Sequence, residues 1–194
     1  NSMKLLLAGM ALSAVCSAFS SFIVYFANNK EGMQSIAYWL MGSLAGAKWN
    51  ELAVIAPVII VSVLFFWTQS RVLNLMLLGD ETAITMGTDL HLYRHWYLLI
   101  SSLIVGFAVY AAGMIGFVGL IIPHVMRMFL GPDHKKLIPA SALVGAIFLV
   151  ICDGFCRIII PHTELPIGIL ISMIGAPCFI YLMIKRTYGF GGND

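Results

Sequence analysis

The sequence predicts an all-α, polytopic membrane helix bundle, on three observations. Only 10% of the 194 residues are charged and 60% are hydrophobic, whereas soluble domains carry roughly 25% charged residues. Five stretches contain no Asp, Glu, Lys or Arg: Leu5–Asn29, Leu52–Ser70, His95–Met126, Leu137–Cys152 and Leu165–Ile184. A domain of this size has too little interior to bury all five, so the chain belongs in lipid.

The first element is expected near 5–27. A single preceding Lys4, and a length beyond the about 7–15 apolar residues of a cleaved leader, favour a membrane helix there. A second is expected near 52–70, and both are long enough to cross about 30 Å of hydrocarbon. The third stretch would run about 48 Å as one helix, too far for a single crossing. Ala111-Ala112-Gly113-Met114-Ile115-Gly116 in its middle supplies a reversal, which gives segments near 95–112 and 115–130. Two more are expected near 138–158 and 167–185, so that residues 1–194 form a single transmembrane domain of about six spans.

Lys and Arg set the orientation. Lys4, Arg71, Arg94, Arg127, Lys135, Lys136, Lys185 and Arg186 fall on one side, and Lys30, Lys48 and Arg157 on the other. The positive-inside rule makes the first side cytoplasmic and puts both termini there. The net charge of +2 is dispersed; no basic face suggests nucleic acid.

Between the first two spans, Met33 to Gly42 is apolar and carries Tyr38 and Trp39, which suits a short helix lying at the interface. Gly42, Ser43 and Gly46 allow a turn before Trp49. The loop 71–93 is cytoplasmic. Asp80 and Glu81 suit the start of a short helix, where free backbone N–H groups favour acid; Gly79 and Gly87 bracket it, and Leu73, Met76 and Leu77 supply an apolar face before it. Two short helices joined at a glycine form either a knob that needs a partner or a loop folded onto its own bundle. In Gly131-Pro132-Asp133-His134-Lys135-Lys136-Leu137-Ile138-Pro139 the breakers end one span, and Pro139 suits the first turn of the next.

Few polar residues stand in the apolar stretches. Asp153 and Arg157 are four apart and can pair on one helix face; Arg157 can also meet an acidic partner at the outer surface. Glu164, between Pro161 and Pro166, sits in a rigid outer turn, where it caps the next helix or pairs with Arg157. Pro123 removes one helical hydrogen bond, and His124 is placed to satisfy a freed backbone group. Cys16, Cys152, Cys156 and Cys178 read as small buried hydrophobes. No acid–base or metal constellation is present, so neither a catalytic residue nor a metal ligand is assigned. Gly9, Ser13 and Ser17 in the first span, and Gly168, Ser172 and Gly175 in the last, recur at helical spacing. Such surfaces either permit close helix approach or line a wide pathway, and Pro177 makes the last span a candidate gate.

Several longer motifs now stand in order. Gly113 to Arg127, with Pro123, His124 and Arg127, is followed by Gly131 to Leu143, with Asp133 and His134, and then by Glu164-Leu165-Pro166-Ile167-Gly168 and Gly175-Ala176-Pro177. Together with Leu5 to Leu12 and Trp39 to Gly46, this run closely resembles the permeases of type II ABC importers for iron-siderophores, haem and cobalamin. The resemblance covers nearly the whole chain and corresponds to the last five-to-six-helix portion of a ten-helix permease. It implies that Gly79, Asp80, Glu81, Thr82, Ala83, Met86 and Gly87 form coupling helices docked on a cytoplasmic ATPase subunit, with Thr82 where relatives often have a second small residue. It implies pathway-lining roles for the first and last spans, and contact of Arg157, with Lys48 as a second candidate, with a periplasmic or lipid-anchored substrate-binding protein. It also implies a second permease copy, a location in the bacterial inner membrane, and ATP with Mg on the ATPase, because this sequence has no Gly-x-x-x-x-Gly-Lys-Ser/Thr loop. The expected function is ATP-driven uptake of a bulky metal chelate, an iron-siderophore first. The competing readings are an ion-driven secondary transporter, a structural membrane subunit without a path, and an integral membrane enzyme.

Overall fold

The computed structural model describes residues 2–26, 30–159 and 165–187. These residues form α1 (Ser2–Phe26), α2 (Lys30–Met41), α3 (Trp49–Thr68), α4 (Ser70–Leu77), α5 (Asp80–Thr85), α6 (Leu90–Ala112), α7 (Val118–Leu130), α8 (His134–Ile159) and α9 (Ile167–Thr187), with no strand among them. Glu164 and the rest of its turn lie outside the described residues.

Each of the six segments read from the sequence coincides with a helix. Among the described residues, four helical segments are long and apolar enough to cross a membrane: Leu6–Phe26 within α1, α3, α6 and α8. α7 falls short of the expectation, with 13 residues, about 20 Å, whereas α9, with 21 residues, covers the expected 167–185. The shortfall in α7 has a local cause. Gly113 to Phe117 is not helical, so the residues expected to begin that span serve as an extended lead-in.

The chain divides into two compact units, Asn1–Leu40 and Met41–Asp194. In the first, α1 exposes its apolar surface on all sides, Leu12, Phe19 and Phe22 included. α2 is amphipathic, with Glu31 in its first turn and the Ser35 hydroxyl donating to the Glu31 carbonyl.

In the second unit, α3 packs on α6 and α8, and α8 on α7 and α9. The core is a cluster of Cys152, Cys156, Ile167 and Ile171, covered by Leu44, Ile115, Phe117 and Phe148. Cys152 and Cys156 are thus buried packing groups, whereas Cys16 is exposed and Cys178 only half-buried, against the reading of all four as buried; all four are free thiols. Burial is slight elsewhere. Even in α8 only 11% of the apolar window is buried, and Val150 and Ile158 are largely exposed. Such surfaces are tolerated where the surroundings are lipid or further helices.

The start of α8 corrects the sequence reading. The helix begins at His134, so Pro139 lies inside it rather than in its first turn. Two contacts make this possible. Asp133 accepts from the Lys135 backbone N–H (3.1 Å) and so caps the helix. Pro139 cannot donate to the carbonyl four residues back, and that carbonyl, on Lys135, accepts instead from the Trp67 indole N–H of α3 (3.0 Å).

Candidate coupling and pathway surfaces

The loop between α3 and α6 forms an elbow of two short helices. α4 follows α3 with only Gln69 between them, and the Tyr97 hydroxyl of α6 donates to Gln69 Oε1 (3.1 Å), fixing that junction. Gly79 separates α4 from α5 at φ 92°, and Gly87 ends the elbow at φ 76°; both conformations are costly for a residue with a Cβ. Asp80 and Glu81 open α5. Thr82 is exposed, and its hydroxyl donates back to the Leu78 carbonyl (3.2 Å). Ala83 is completely buried within the chain. The exposed apolar surface is instead Leu77, Leu78, Ile84 and Met86, and of these Leu78 and Ile84 were not singled out from sequence.

A polar clasp ties this elbow to α8, and sequence reasoning missed it. The Asn74 Nδ2 donates to Asp133 Oδ1 (2.8 Å). Asn74 Oδ1 accepts from the His134 backbone N–H (2.9 Å) and from His134 Nδ1 (2.8 Å). The last bond requires the proton on Nδ1. The Asn74 bond and the Lys135 backbone N–H, followed by the charges of Lys136 and Lys135, hold the Asp133 carboxyl below its usual pKa. The only local signal was one amide in the apolar run Val72 to Leu78.

The motif residues Pro123, Arg127 and His134 meet around one cavity of about 410 Å³ that is also bordered by Phe66, Ser101 and Ser141. The clasp places the elbow beside the 131–136 segment, so Arg71, Arg127, Lys135 and Lys136 gather at one end of the second unit. At the far end, Arg157 Nε donates to Asp153 Oδ2 (2.7 Å), with the arginine side chain 53% exposed. Lys48, exposed, precedes the first turn of α3.

The pathway candidates divide. Gly9, Ser13 and Ser17 are exposed on α1, and Ser172 and Pro177 on α9. Gly168 and Gly175 are buried by close neighbours. A Cβ on Gly168 would collide with the Met41 carbonyl oxygen, and one on Gly175 would stand 2.7 Å from the Phe117 Cβ. Phe117 itself adopts φ 63° at the entry to α7, a sparsely populated region for a non-glycine residue. Pro166 is buried at the start of α9, where its carbonyl accepts from the Ile169 N–H (3.1 Å).

The family model described as the FecCD transport family matches residues 1–185. The chain belongs to that family. The FecCD chain is 37% identical to the hemin transport system permease protein HmuU of Yersinia pestis, over 96% of its own length and 55% of that protein. It is 41% identical to the cobalamin import system permease protein BtuC of Halobacterium salinarum, over 94% of its length and 48% of that protein. A solved inward-facing structure, described as a metal-chelate type ABC transporter, superposes with TM-score 0.86 at 36% identity, covering 93% of this chain and 58% of that one. The FecCD chain thus spans about half the length of the curated relatives it matches. Its four long apolar helices fit a multi-pass inner-membrane location. Among the described residues no group of three or more His, Cys, Asp or Glu could hold a metal ion.

Proposed function

We propose that this chain acts as membrane permease in an ATP-driven importer of bulky metal chelates. The supporting observation is identity of 37–41%, over nearly its whole length, with a hemin and a cobalamin permease. The chain contributes a mechanical element rather than a reaction centre. ATP and Mg bind the partner ATPase pair, whose closure displaces the α4–α5 elbow. Glu81, Met86 and the exposed apolar residues beside them form the docking face, while Ala83 and the two glycines set its shape. A second permease copy completes the pathway, to which α1 and α9 each contribute small residues. Arg157 and Lys48 receive the substrate-binding protein at the outer face. Within the chelate class our reading is an iron-siderophore, supported by the breadth of the family resemblance.

Uptake into proteoliposomes tests this. The full-length permease, reconstituted with its ATPase and binding protein, is offered radio-iron ferrichrome, haemin and cyanocobalamin. ATP-dependent import of ferrichrome supports the full reading, and import of either other chelate moves the substrate within the class. Uptake that persists without any ATPase favours an ion-driven carrier. Glu81→Lys is expected to weaken ATPase docking, measured by co-purification, and unchanged docking and hydrolysis count against the elbow assignment.

A further inference from the structure

A short elbow is a poor transmitter on its own. α4 has eight residues, bounded by the kink at Gln69 and by Gly79. Gln69 is held by Tyr97, but the Gly79 joint, at φ 92°, is a weak link for displacement passed along the backbone. The clasp offers a shorter route. One amide side chain makes three bonds to a segment 59 and 60 residues away, and the bond to the Asp133 carboxylate is charge-assisted. Apolar contacts are non-directional and let helices slide, whereas three bonds from one planar group fix register. The segment they grip is the start of α8, a helix of 26 residues, about 39 Å long. Its far end carries the Asp153–Arg157 pair. The Trp67 bond to the Lys135 carbonyl braces the same turn from α3.

We infer that Asn74 is a positioning residue that locks the elbow to α8, so that α4, the 131–133 turn and α8 move as one lever from the ATPase side to the outer face. The inference rests on the importer reading above, and adds the route by which force crosses the membrane.

Exchanging the two partners isolates this role. In the assembled, reconstituted transporter, N74D sets two carboxylates against each other, whereas N74D/D133N restores one amide facing one carboxylate with the donor on the other side. For N74D, chelate moved per ATP is expected to fall about tenfold, the scale of coupling between residues in one hydrogen-bond network. ATPase co-purification should stay within about twofold, because the docking face is untouched. N74D/D133N should recover most of the lost coupling. Normal coupling in N74D, or an exchanged pair no better than N74D, overturns the lever. Should N74D fail to accumulate, spin labels at Arg71 and Lys136 in the otherwise unaltered transporter decide. A separation unchanged on ATP binding supports one rigid piece, and a change beyond about 2 Å, the scale of interface helix shifts, overturns it. A wild type that imports none of the three chelates with its ATPase present defeats the importer reading and the lever with it, whereas a wild type that couples as well as N74D defeats the lever alone.

Discussion

The two ends of α8 are held by different physics. At the elbow end, side chains from α3 and α4 bond to the 133–135 segment through the Trp67 indole and the Asn74 amide. At the far end, Cys152 and Cys156 pack against Ile167 and Ile171 without a polar bond between them. Lipid tails are as apolar as these side chains, so burying them against each other gains little transfer energy, and the far end is held by shape and dispersion. The elbow end depends on a few directional bonds. A tightly filled contact tolerates little added volume, while a bonded one tolerates volume but not loss of a donor or acceptor. The far end therefore sets how α9 seats, and the elbow end sets where α8 stands relative to the loop.

The largest effect is expected from breaking the packed end. Gly168→Leu drives a side chain into the Met41 carbonyl, and a backbone oxygen cannot swing aside as a side-chain tip can. We expect more than about 3 kcal/mol of destabilisation, seen as loss of folded protein on detergent extraction. Ser172→Leu, at an exposed position of the same helix, should leave yield and thermal midpoint unchanged. An equal loss in both variants would mean that α9 is intolerant as a whole and that its packed face is not special. Ile171→Ala comes next. Ile171 is 1% exposed, and its truncation leaves a cavity worth about 2 kcal/mol, the low end of core truncations because the transfer term is small in lipid. Thermal denaturation in micelles reads it.

The same contrast explains what could be read in advance. The long helices were legible because charge-free runs and their Lys and Arg flanks are local properties, and the reversal inside 95–126 because Gly113 and Gly116 mark it. Asp153 and Arg157 were legible as a pair because helical spacing places them together. Three features were not. The start of α8 depends on Trp67, 68 residues away from the carbonyl it satisfies; without it, Pro139 argues for a later start. Asn74 has no local partner at all. Gly168 and Gly175 are small enough either to pack or to line a path, and only their neighbours decide. Polar bonds between distant elements leave little trace in a single sequence, whereas periodic apolar faces leave much.

Smaller effects sharpen the elbow end. Trp67→Phe keeps the ring and removes the indole donor, leaving the Lys135 carbonyl without the partner that Pro139 cannot supply. A loss of about 1 kcal/mol is expected, larger than for Phe66→Leu only if the bond and not the ring matters. At the far end, Arg157→Glu breaks an exposed i,i+4 pair worth about 0.5 kcal/mol, so stability should barely change. Affinity for the substrate-binding protein should fall, with a steeper dependence on salt in the wild type than in the variant. Equal affinity would remove Arg157 from the outer contact.

The smallest effect is confined to acid. Asp133 has its folded-state pKa lowered, chiefly by Asn74 and then by the Lys135 N–H. A carboxyl of this kind contributes stability that is complete above its unfolded value of about 3.9 and is lost as pH falls through the lower folded value. Asp133 should therefore contribute no change between neutrality and mild acid, and its own share of the drop in thermal midpoint should appear only below about pH 4. Asn74→Ala removes the first cause of the lowering and should blunt that acid step while leaving the neutral-pH response to Arg157→Glu untouched. If both variants altered the acid step equally, the two ends of α8 would be electrostatically joined, and the contrast between a bonded end and a packed one would fail.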